Sequence, residues 1–269
     1  MAEFNAAPQD RLAIHDSSLR LKDLESLPLD EFFSVLGPCY EEVERTNEEV
    51  LEDDFTHVET THISTQDVER ATVDGQRPTL VIMAGPNGAG KTTIMTRLAK
   101  CGWLKGMVYQ NQDFIAQNLF GGWNNDDAIK KSEVYCYDQR ESCLREKKSI
   151  AFETVSGLSK LDFIRRAKAA GYHVIYLFVC TYSPTVHASR VAIRVMKGGH
   201  SIAIPTIISR YMESLLNSRA LTRIADHAYI FDNSEHNKMA KLILEFENGN
   251  LTKQYVDHLP RWAMTILEQ

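Results

Sequence analysis

Residues 79–100 read TLVIMAGPNGAGKTTIMTRLAK, and the fold follows from how that stretch divides. TLVIMA (79–84) is an unbroken apolar run that ends in glycine, the pattern of a parallel strand buried on both faces. TTIMTRLAK (92–100) is built of helix formers and stops short of Gly102, so a helix follows the strand. Between them Gly85, Pro86, Asn87, Gly88, Ala89, Gly90, Lys91 and Thr92 match G-x-x-x-x-G-K-[ST] without a gap. A glycine-rich turn at this place lets backbone N–H groups curl around nucleotide phosphates, at the positive end of the following helix. Lys91 then reaches the β- and γ-phosphates and the Thr92 hydroxyl ligates Mg²⁺, with Thr93 beside it.

Outward from this core, strand and helix signals alternate. MVYQN (107–111) reads as a strand and is followed by a long helical segment from about Asp126 to Lys148. IAFET (150–154) is a third strand, LDFIRRAKAA (161–170) a helix, and YHVIYLFV (172–179) a fourth strand. One helical stretch over roughly 185–223 and a last strand, AYIFD (228–232), close the set. Such alternation predicts an α/β fold, a P-loop domain with a mostly parallel sheet flanked by helices. Ligands should bind at the carboxyl ends of its strands.

Charge divides the 269 residues into two units. Residues 1–77 carry 19 Asp and Glu against 6 Lys and Arg, a balance of −13, whereas 78–269 carry 17 against 24, a balance of +7. The sequence therefore predicts an acidic helical N-terminal domain and connector (1–77) ahead of a P-loop domain (78–269). SLPLDEFFSVLG (26–37) and PCYEEVERTNEEVLEDDF (38–55) supply its helix formers, with Phe32, Phe33 and Leu36 on one stripe. The N-terminus lacks a basic region followed by an apolar one, and no apolar run reaches a membrane span. Five cysteines, an odd number without a CxxC pair, fit a reducing compartment, and a cytoplasmic location is expected. The overall acidic balance gives no support to a nucleic-acid partner.

Two carboxylates and three arginines are candidates for chemistry. Asp113 lies just past the MVYQN strand and Glu153 ends IAFET, both on the predicted ligand edge. Either could accept a proton from a substrate hydroxyl or position Mg²⁺. Arg190 and Arg194 share a helix face at i, i+4, and with Arg210 they could neutralise charge on a transferring phosphoryl group. Gly198-Gly199 reads as the break of a closing lid, with His200 as a residue of that lid. Trp103, Phe120, Trp123 and Trp262 read as packing residues. Asp232-Asn233-Ser234 reads either as the border of an adenine pocket or as a turn.

Taken in order, GPNGAGKTT, YQNQDFIA, IAFETVSG, RRAKAAGYHVIYLFV, RVAIRVMKGGH and AYIFDNS resemble the zeta toxins over about residues 78–235. Those are P-loop kinases that phosphorylate UDP-N-acetylglucosamine and block cell-wall precursor synthesis. The resemblance implies ATP, rather than GTP, as donor, with Mg²⁺. It implies that Asp113 takes the proton of the sugar 3′-hydroxyl, and that Lys91 holds the γ-phosphate. Arg194 and Arg210 would stabilise the transition state. It implies that Glu153, with Thr154 and Ser156, binds the sugar nucleotide, and that Arg190 joins the nucleotide site. FETVSG is one residue shorter than the family's segment, and Pro205 stands two positions late after GGH. Zeta toxins are restrained by a small helical antitoxin, so residues 1–77 are expected to act as an intramolecular inhibitor. A P-loop kinase for another small hydroxyl acceptor and a nucleotide-gated regulatory module remain as alternatives. The module is disfavoured by Asp113, because a pure switch needs no base.

Overall fold

The computed structural model describes residues 77–100, 102–122, 125–155, 160–236 and 238–267. The N-terminal domain expected to be acidic and helical, Ser156 and Trp123 lie outside the described residues. Arg77 already belongs to the following unit: its guanidinium donates to the carbonyls of Gly171 and Tyr172 at 3.0 and 3.4 Å.

The elements are β1 (Thr79–Ala84), α1 (Lys91–Lys100), β2 (Val108–Gln110), α2 (Gln112–Leu119), α3 (Asp126–Glu146) and β3 (Ile150–Thr154). They continue with α4 (Leu161–Ala169), β4 (His173–Cys180), α5 (Pro184–Met196), α6 (Ile204–Ile224) and β5 (His227–Asp232). Last come β6 (Lys241–Glu247), β7 (Asn250–Gln254) and α7 (Arg261–Leu267). One sheet runs β2-β3-β1-β4-β5-β6-β7. The first five strands are parallel to their neighbours, and β6 and β7 are antiparallel.

β1 is central because every one of its residues is buried. Leu80, Ile82 and Ala84 enter the core under α4, α6 and α7, where Ile164, Leu215 and Trp262 meet them. Val81 and Met83 face the opposite core with Met95 of α1. A strand covered on both faces has no polar side to show, and so its sequence does not alternate. Trp103 and Trp262 are buried as expected of packing residues, and Phe120 is half-buried with its ring edge on Tyr135.

Four features of the sequence reading need correction. The helical stretch 185–223 is two helices, because Gly198 and Gly199 terminate α5: their N–H groups bond to Val195 and Arg194 carbonyls. AYIFD does not close the sheet; β6 and β7 follow as an antiparallel hairpin. Its turn is Asn248-Gly249, both at positive φ (49° and 79°), the sequence pair that two-residue hairpins favour. The strand at 107–111 is only Val108–Gln110. Asn111 instead caps α2, an unexpected helix, by accepting from the Phe114 N–H. Among the described residues no helix is long and apolar enough to cross a membrane.

Candidate nucleotide and acceptor cleft

The loop after β1 is held in shape from three sides. A Cβ on Gly85 would lie 2.2 Å from the Val179 carbonyl oxygen of β4, and one on Gly88 2.6 Å from that of His187. Gly88 also sits at φ +82°, where a side chain is strained whatever the space. The His187 imidazole Nδ1 contacts the Asn87 carbonyl at 3.1 Å, and Arg210 donates to the Asn87 side chain at 3.0 Å. Asn233, at the end of β5, donates to the Ala89 carbonyl at 2.8 Å and accepts from Arg190 at 2.9 Å through its own carbonyl. Asp232-Asn233-Ser234 is a turn, with the Ser234 N–H on the Asp232 carboxylate, and its Asn buttresses the loop.

Lys91 opens α1 and folds back to donate to the carbonyls of Gly85 (2.8 Å) and Pro86 (3.0 Å). Burial lowers its pKa to about 8, against the opposing pull of the Glu153 and Asp113 carboxylates. Burial also pushes the His187 imidazole down to about 3, so it is neutral and serves the loop as a hydrogen-bonding group.

The carboxylate of Glu153 is engaged at both oxygens. Thr92 donates to Oε2 at 2.8 Å, and Asn111 donates to Oε1 at 3.0 Å. The Tyr109 hydroxyl also bonds to Oε1, and burial beside that carboxylate pushes its pKa up. Asp113, in the first turn of α2, is exposed in the same cleft; burial lowers the pKa of both Lys91 and Arg194, and the Asp113 charge opposes that lowering.

These groups border one cleft of about 750 Å³. It gathers the loop residues Asn87, Gly88, Gly90, Lys91, Thr92 and Thr93, then Asp113, Glu153 and Thr154, then Arg190, Arg194 and Arg210. Gly85, Pro86 and Ala89 shape the loop from behind through their backbone. The sequence reading missed His187, Tyr109 and Asn111, which hold the site, and Arg140 and Lys160, which line it. Asn111 carried a signal, as an Asn before a helical turn; the others are recruited from distant elements.

No protein-family model matches the chain, and no curated protein matches it. Three crystal structures of the AvrRxo1-ORF1:AvrRxo1-ORF2 complex do: native, with sulphate ions and with ATP. Each aligns at a TM-score of 0.51 with 19–20% identity, over 69% of this chain and 63% of the matched one. The chain thus spans just under two thirds of that relative's length. A structure of the PezAT toxin-antitoxin system of Streptococcus pneumoniae aligns at 0.45 with 13% identity, over 66% of this chain and 81% of that one. The likeness is one of fold: a mostly parallel α/β sheet flanked by helices.

In this P-loop fold the residues present fit a nucleoside triphosphate. Arg190 Nη1 and Arg194 Nε are buried without a hydrogen-bond partner, on a cleft that already carries Lys91 and Arg210. Buried guanidinium donors left open in this way match phosphate oxygens in charge and geometry. A divalent cation fits too. Among the described residues no cluster of three or more His, Cys, Asp or Glu could hold a metal. Thr92 and Glu153 instead supply two hard oxygen donors side by side, and phosphate and water would complete the shell.

Proposed function

We propose that the chain is an ATP-dependent kinase that phosphorylates the 3′-hydroxyl of UDP-N-acetylglucosamine, restrained in cis by residues 1–77. The observation that carries the kinase reading is the exposed carboxylate of Asp113 in the same cleft as Lys91, Arg190, Arg194 and Arg210. A regulatory module would need the cradle but not the base.

Gly85–Thr92 bind the triphosphate through backbone N–H groups, and Lys91 leaves its two carbonyls for the β- and γ-phosphates. Mg²⁺ held between Thr92 and Glu153 would draw charge from the β- and γ-oxygens. Glu153 fixes the Thr92 hydroxyl, and Asn111 and Tyr109 fix Glu153. Asp113 accepts the proton of the acceptor hydroxyl as its oxygen bonds to the γ-phosphorus. The bond from that phosphorus to the β–γ bridging oxygen breaks, and its electron pair leaves with ADP. Arg194 and Arg210 balance the charge spread over the transferring oxygens, and Arg190 ties the loop to Asn233 beside them. Thr154, with Ser156 two residues on, is assigned to the sugar nucleotide.

Restraint in cis is supported by charge. A segment at −13 is tethered to a unit at +7 whose cleft concentrates Lys91, Arg190, Arg194 and Arg210. Tethering on one chain gives an effective concentration on the order of millimolar, enough to occupy weak contacts.

The test is to incubate the full chain, and residues 77–269, with Mg-ATP and a panel of UDP-sugars and to weigh the products. Transfer to UDP-N-acetylglucosamine, lost in Lys91→Ala, is expected. No added phosphate on any UDP-sugar with a folded, ATP-binding protein refutes the acceptor.

A further inference from the structure

The cleft continues past Glu153 along α3. Ile129, Ser132, Glu133, Cys136 and Arg140 border it from that helix, at spacings that fall on one helical face. Across from them Lys160, just ahead of α4, borders the same space. The charges that act on Lys91 are those of Glu153, Asp113, Arg194 and Arg210, and neither Arg140 nor Lys160 is among them.

Arg140 is 6% exposed, which is rare for an arginine without an acidic partner. Its Nη1 donates at 3.2 Å to the side-chain carbonyl of Gln110, a neutral group, and its guanidinium lies 5.4 Å over the Phe152 ring. Gln110 is itself fixed by Gln139, to whose carbonyl it donates at 2.6 Å. The neighbouring Glu141 is turned away and paired with Arg166 at 2.6 Å. Lys160 makes no hydrogen bond or ion pair among the described residues. Burial lowers its pKa first, and the Arg140 charge lowers it further; burial lowers that of Arg140 as well. Glu133 faces both cations from the exposed side of α3 without an ion pair to either.

Two partly desolvated cations that repel each other, without a paired carboxylate, are costly unless something anionic joins them. The triphosphate is already met by Lys91 and the three arginines on the other side of Glu153. We propose that Arg140 and Lys160 form an anion subsite at the acceptor end of the cleft, gripping a phosphate or diphosphate group of the acceptor. The inference rests on the kinase reading of the cleft and narrows it: the acceptor is a phosphorylated small molecule, as a sugar nucleotide is, and not a neutral sugar or nucleoside. Gln110, Gln139 and Phe152 hold the Arg140 guanidinium in place for planar, two-pronged contact. Lys160 adds a point charge from the opposite wall.

The experiment uses the full chain with its donor site saturated by Mg²⁺ and the β,γ-imido analogue of ATP, titrated calorimetrically with inorganic pyrophosphate. One further equivalent should bind. Lys160→Gln, a change at a partly exposed side chain, should weaken it about tenfold, the scale of one charge-assisted contact. Lys160→Arg should restore most of the loss. Arg140→Gln should weaken it at least as much, with melting curves showing that the variant is folded. The affinity for the ATP analogue should hold within about twofold in all of them, since its phosphates have their own cations. Absence of the second pyrophosphate site, or a Lys160→Gln protein that binds it as tightly as the wild type, overturns the subsite. Transfer to UDP-N-acetylglucosamine is assayed alongside. Lys160-dependent pyrophosphate binding without such transfer removes that sugar nucleotide and leaves the subsite standing. Transfer with an unchanged KM in Lys160→Gln removes the subsite and leaves the kinase reading standing.

Discussion

Replacing Lys91 by methionine should leave the free protein about as stable as the wild type while removing its response to ATP. The ammonium is buried, and its pKa falls from 10.5 to about 8. Because the folded-state value is the lower one, the unfolded chain holds the extra proton between about pH 8 and 10.5, and wild-type stability rises with pH across that window. From pH 7 to 9 the gain is about 1.4 kcal/mol, brought nearer 1 kcal/mol because the half-buried side chain keeps some contact with solvent. At neutral pH the charged lysine costs the fold about 3 kcal/mol by the same measure, burial outweighing the pull of Glu153 and Asp113. Its two hydrogen bonds to Gly85 and Pro86 offset that by about 1.5 kcal/mol or more each. Methionine keeps the aliphatic stem and removes both terms. The variant should therefore lie within about 1 kcal/mol of the wild type at pH 7, instead of the 2–5 kcal/mol typical of truncating a buried side chain (roughly). Urea unfolding of both proteins at pH 7, 8 and 9 measures this. Cys180, Tyr109 and Tyr176 titrate in both, so the difference isolates Lys91. Mg-ATP should raise the melting temperature of the wild type only. A Lys91→Met protein more than about 2 kcal/mol less stable at pH 7, with a pH slope equal to the wild type's, would refute the desolvation argument.

Asp113→Asn is nearly isosteric at an exposed position; turnover should fall by about 10²–10⁴ with ATP affinity little changed, in steady-state kinetics beside equilibrium binding. Glu153→Gln should raise the Mg²⁺ concentration needed by about 10–100-fold in a metal titration of turnover, because the anionic oxygen beside Thr92 is lost. Gly88→Ala places a Cβ 2.6 Å from the His187 carbonyl at φ +82°, so calorimetric ATP binding should be lost and the melting temperature lowered. Full-length protein should bind ATP more weakly and turn over more slowly than residues 77–269. The gap should close as salt rises past the point where screening falls below about 8 Å. Equal behaviour of two folded proteins would reduce the acidic segment to a solvating extension.

The local signals in this chain carried a long way. The apolar run 79–84, the glycine loop and the helix after it needed only neighbouring residues, because strand burial, positive φ and helix capping are decided within a few positions. The same holds for IAFET and HVIYLFVC, whose residues pair in register with β1. The Asn248-Gly249 hairpin was equally local and legible, yet lies beyond the last strand that the alternation led to. What tertiary structure alone decided is which distant groups share a wall. His187, Asn233 and Arg210 reach the loop from α5, the end of β5 and α6, 100 to 144 residues away in sequence. Glu153 could be read as a base, a metal group or a sugar ligand; the β1–β3 pairing sets it against the Thr92 hydroxyl, the contact on which its proposed metal role rests. Arg140 sits in an ordinary charged helix by its sequence. Only the packing of α3 over Phe152 buries its guanidinium without an ion pair among the described residues. A charge's environment is a sum over neighbours in space, so chain order cannot supply it.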